Sequence, residues 1–179
     1  MTAAQTLRIN RAPVLTLWAA VVAERLGMSR ETALTIGQTL AGITAHAKGA
    51  RLGIYAQPGE RPREAPPPLP KGVKKVHEVE LLGRLIHVAD TPDGQRAISK
   101  GELVKPDAVE RYLGNKFGDA LELMRTEMER LAAHFDPDEL NREGFHLYEQ
   151  FRPEVPPDER GWGAKGVLDV GKIRALGQR

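Results

Sequence analysis

The stretch that decides the fold is APVLTLWAAVVAERLGMSRETALTIGQTLAGITAHAKG, residues 12–49. Pro13 suits the first turn of a helix, and Val14, Leu15, Trp18, Val21 and Val22 recur at helical spacing, so a helix is predicted from about Ala12 to Leu26. Gly27 ends it. Ser29 then caps a second helix, with Glu31 in its first turn and Ala33, Ile36, Leu40, Ile43 and Ala47 along one face; Gly49 is the expected stop. Ala33, Gly37 and Ala41 form a small-residue stripe that lets another helix approach closely. The first helix is also apolar on its flank through Leu17, Ala19 and Ala20. Two helices alone would leave that surface in water, so a second module or a second subunit must cover it.

Downstream the chain changes character. Residues 57–73, QPGERPREAPPPLPKGV, hold six prolines and read as an extended polyproline spacer, a ligand for proline-recognition domains being the sharper alternative. His77 to Leu82, Leu85 to Ala89 and Gln95 to Ile98 read as short strands, the last two joined by the turn sequence Thr91-Pro92-Asp93-Gly94. Helix returns at Pro106-Asp107 and keeps its spacing through Val109, Leu113, Phe117, Met124, Met128 and Leu131 to about His134, with a kink or split expected at Gly114 and Gly118. Asp136-Pro137-Asp138-Glu139 opens one more helix, with Leu140, Leu147, Tyr148 and Phe151 on its face and Pro153 at its end. The tail reads as irregular around Trp162, with one short helix at Val170 to Leu176. The expected fold is therefore mostly α with a small antiparallel β hairpin or meander. It divides into a basic helical hairpin (1–56), a linker (57–73) and an α+β part (74–179).

The net charge of +2 conceals a division. Residues 1–75 carry 11 Lys/Arg against 4 Asp/Glu, +7, and residues 76–179 carry 15 against 20, −5. An anionic partner for the first half explains this, as does attraction between the two halves. No apolar run approaches the roughly 20 residues of a membrane helix, so no membrane partner is expected. Cysteine is absent and the opening MTAAQTLRIN lacks a secretory apolar stretch, which points to the cytoplasm.

Residues 18–38, and Ala23-Glu24-Arg25-Leu26-Gly27-Met28-Ser29-Arg30-Glu31-Thr32 within them, resemble the turn of a helix-turn-helix DNA-binding segment. By that resemblance Ser29, Arg30, Thr35 and Gln38 face the major groove, while Arg25, Lys48 and Arg51 meet phosphates. A helical hairpin of the same sequence also serves packing or dimerisation, for which Leu17, Trp18, Val21, Ile36, Leu40 and Ile43 are the expected interface of a homodimer.

Other motifs carry less. Gly161-Trp162-Gly163-Ala164-Lys165-Gly166 has the G-x-G-x-x-G spacing but too little chain after it for a dinucleotide unit. His46, His77, His87, His134 and His146 are scattered without ligand spacing, so no metal and no cofactor are expected. Glu78 and Glu80 alternate on a strand, and Asp136, Asp138 and Glu139 resemble a calcium loop only at its start. No nucleophile and base stand at a catalytic spacing, and an enzyme is not expected; His87, Glu78, Glu80 and Lys165 are the residues to inspect for one. Over the whole chain the sequence is similar to bacterial proteins that open with a TLRINRAPVLTLWAAVVAERLG-like stretch and close with FRPEVPP and GWGAKGVL-like stretches. That resemblance implies no activity and no site.

Overall fold

The computed structural model describes residues 6–51, 75–155 and 165–177, the side chains of 45–51 excepted. The linker 57–73 and Trp162 lie outside the described residues.

Helix α1 (Arg11–Arg25) is buried from Pro13 to Ala23, on every face. A helix that is apolar all round has to sit inside a protein, and this one does. Helix α2 (Arg30–Arg51) returns alongside it after a turn in which Gly27 adopts φ +104°. Gly37 stands against Thr16 and Ala20 of α1, where a Cβ would meet the Thr16 carbonyl oxygen and lie 3.1 Å from the Ala20 nitrogen. The small-residue stripe therefore sets the distance between the two helices. Gly49 does not end α2, which continues to Arg51. One glycine costs only about 1 kcal/mol of helix propensity, too little to stop a helix by itself.

The rest of the chain encloses this hairpin. Strands β2 (Val76–Leu81), β3 (Arg84–Thr91), β4 (Gly94–Ser99) and β5 (Glu102–Leu103) form an antiparallel meander in that order, with Val79 opposite Ile86 and Val88 opposite Ala97. Thr91-Pro92-Asp93-Gly94 makes the β3–β4 turn as its sequence predicts: the Thr91 hydroxyl donates to the Gly94 carbonyl (2.6 Å) and accepts from the Asp93 N–H (3.2 Å). Ile86, Val88 and Ala97 are fully buried against the helices. The long helical pattern splits at Gly118, φ +58°, into α3 (Pro106–Phe117) and α4 (Leu121–Ala133), while Gly114 stays helical. Helix α5 (Pro137–Phe151) ends just before Pro153, and α6 is Val170–Leu176.

Two strands lie where the sequence shows none. β1 (Thr6–Asn10) pairs antiparallel with β6 (Lys165–Asp169), Thr6 facing Asp169 and Asn10 facing Lys165. Gly166 lets the Glu154 backbone lie against this ribbon, because a Cβ there would collide with it. Close by, Arg11 Nε donates to the Pro153 carbonyl (2.9 Å) and the Tyr148 hydroxyl to the Arg11 carbonyl (3.3 Å). Burial pushes the Tyr148 hydroxyl pKa up to about 12.

One hydrophobic core runs through both of the expected parts, from Ile9 to Ile173. The helical hairpin is not a separate module. At the centre Trp18 donates its indole N–H to the Gly144 carbonyl (2.8 Å) and meets Phe151 edge-on, ring centroids 5.3 Å apart. Asn141 of α5 clamps the β2–β3 turn, accepting from the Leu82 N–H (2.8 Å) and donating to the Glu80 carbonyl (3.2 Å). Among the described residues no helix is long and apolar enough to cross a membrane.

Candidate functional site

The turn between α1 and α2 is where the sequence places a groove-reading surface. Ser29 is exposed, and its hydroxyl closes the start of α2: it accepts from the Thr32 N–H (3.3 Å) and donates to the Thr32 hydroxyl (3.0 Å). Thr32 in turn donates to the Gln95 carbonyl of β4 (2.8 Å). Thr35 is wholly buried; its hydroxyl donates to the Thr32 carbonyl (2.7 Å) and accepts from the Ala97 N–H (3.0 Å). This corrects the expectation that Thr35 faces a groove. A hydroxyl at this position satisfies a backbone N–H of the adjoining strand, a need that a single helix pattern does not reveal. Gln38 is half-buried.

Arginines at the turn are engaged locally. Arg30 reaches Glu110 Oε1 of α3 through Nε (3.3 Å) and Nη2 (3.2 Å), and the buried Arg125 reaches the same oxygen through Nη2 (3.4 Å). Arg25 donates from Nη2 to the Phe135 carbonyl (3.0 Å). Glu24 beside them has a raised pKa, chiefly through burial, opposed by Arg30 and reinforced by the nearby carboxylates Glu129, Glu110 and Glu31. The tip of the hairpin is thus an arginine set among acids. The side chains of Lys48 and Arg51 lie outside the described residues.

The expected dimer interface is corrected too. Leu17, Trp18, Val21, Ile36 and Leu40 are all buried within the chain, each 3% exposed or less, and only Ile43 reaches the surface, at 37%. The α+β part covers the hairpin, so no second subunit is needed for that purpose.

Two further polar assemblies lie elsewhere, the first built from side chains the sequence reading passed over and the second from side chains it named. Glu127, 4% exposed, accepts from Arg130 Nη1 (3.0 Å) and from Arg174 Nε of α6 (3.1 Å) at the floor of a shallow pocket of about 170 Å³. Leu131, His134, Ile173 and Gly177 complete its lining. An i,i+3 acid–base spacing within α4 is visible in sequence, but the partner in α6 is not. On the outer face of the meander Glu78 and His87 form an exposed pair at 3.4 Å, with Glu80 next to them facing Leu85. Lys165 is exposed on the other sheet, so the four residues inspected for catalysis do not share a cleft. Among the described residues no cluster of three or more His, Asp or Glu side chains is arranged to hold a metal.

No family model matches the chain, and neither a curated protein nor a solved structure matches it.

Proposed function

We propose that this is a non-catalytic, nucleic-acid-associated protein of the cytoplasm that contacts its partner through basic residues at and beyond the end of α2. One observation carries the reading. Residues 45–75 hold 7 Lys/Arg against 2 Asp/Glu, +5 of the +7 in the first half of the chain. The remaining +2 belongs to residues 1–44, where Arg25 and Arg30 are engaged with the protein's own groups. With 22 residues against 15, α2 is about two turns longer than α1, and Lys48 and Arg51 fall in that excess.

Fluorescence anisotropy against duplex DNA tests the proposal. Affinity should fall steeply with salt, because Lys and Arg on phosphates release condensed counterions, and replacing Lys48 or Arg51 by Ala should reduce the salt slope by about 1 each. Binding that ignores salt, or no binding at low salt, counts against it.

Homodimerisation is the second reading. It rests on Ile43, an apolar side chain exposed on α2 one turn before the basic residues.

A further inference from the structure

We infer that the nucleic acid this protein engages is held by its phosphate backbone and not by its base sequence. The inference rests on the proposed nucleic-acid association and concerns what kind of contact the fold permits. Reading bases in the major groove requires a helix face whose donors and acceptors are free to meet base edges. In α2 that face is already occupied. Thr32 and Thr35 are bonded to Gln95 and Ala97 of β4, and Gly37 lies against α1 on the neighbouring side. From Thr32 to Ala41 only Gln38 rises above full burial.

The tip of the hairpin is no better suited. Ser29 is committed to capping, and the Arg30 guanidinium is held by Glu110 through two nitrogens. Glu24 at the end of α1, Glu31 at the start of α2 and Glu110 of α3 add negative charge around this turn, which repels an approaching phosphate. A recognition helix presents the opposite arrangement: an uncovered N-terminal half whose cations are unopposed. Among the described residues of the hairpin, what is left for the partner is charge, which binds a backbone without reading it.

The test uses the full chain and a pool of random-sequence duplexes of equal length, selected by repeated binding at low salt and then sequenced. No motif should be enriched, and any two duplexes recovered should bind within about tenfold of each other, roughly the effect of one mismatched base pair in a specific site. A motif bound more than about tenfold tighter than the pool overturns the inference while leaving nucleic-acid association intact. If nothing in the pool binds, the association fails and the inference falls with it. Arg30→Ala gives a second reading at an exposed residue: affinity for the pool should stay within about twofold. A changed preference among duplexes in this variant overturns the inference.

Discussion

Thr35 shows how a residue's environment reverses its sequence reading. As a polar residue on a capped helix it resembles a groove contact, yet it supplies the acceptor for the Ala97 N–H inside the protein. Thr35→Val keeps the shape and removes that acceptor, leaving a buried donor unpaired at a cost of about 1–3 kcal/mol. Thermal unfolding should show the loss directly. A variant of unchanged stability and weaker DNA binding would restore the groove reading. Glu24 gives a second prediction. Its raised pKa means that the folded protein binds the proton more tightly than the unfolded chain does. Stability from this group is therefore present at acidic pH and is lost as pH rises through the raised pKa. Glu24→Gln should be more stable than the parent at neutral pH, with the gap closing toward pH 4; melting temperatures across that range will show whether it does. Neither residue's role was legible in sequence, since Thr35 meets an N–H of β4, and Glu24 is shifted first by burial in the folded core, with Glu129 of α4 and Glu110 of α3 adding to it.

At the scale of elements, Gly37 and Gly42 of α2 separate propensity from packing. Propensity alone says that alanine stabilises both sites by up to about 1 kcal/mol. Gly42→Ala should do so, for nothing lies within 4 Å of its new Cβ. Gly37→Ala should instead destabilise, by about 1–3 kcal/mol, because the Cβ drives α2 away from α1. Denaturant melts of the two variants should move in opposite directions; a shift of the same sign in both would refute the close-approach account. Many elements were legible, because α5 and the β3–β4 turn are announced by residues at or beside their ends: Asp136-Pro137, Pro153 and the Thr91–Gly94 sequence. β1 and β6 were not, since no turn sequence joins them and each finds its partner far away along the chain. Helix α1 was legible as a helix but not as a central one. Its apolar flank was visible, and what covered it was not.

Across the whole molecule, the burial of Trp18 decides between two pictures of the hairpin. At an interface, Trp18→Ala would raise a dimer dissociation constant and leave each subunit folded. Inside a single core it should cost about 3–5 kcal/mol of folding free energy, with a melting temperature that does not depend on protein concentration. Light scattering beside melts at several concentrations distinguishes the two, and dissociation of an intact folded subunit would overturn the single-core picture. The ribbon of β1 and β6 has a mechanical consequence. Thr6 stands opposite Asp169, so a chain pulled apart at these residues loads its backbone pairs one after another instead of shearing them all at once. Under force the ribbon should unzip from Thr6 toward Asn10 and deliver the load to Arg11, where α1 begins. The helix at the centre of the protein would then be the first helix reached by tension.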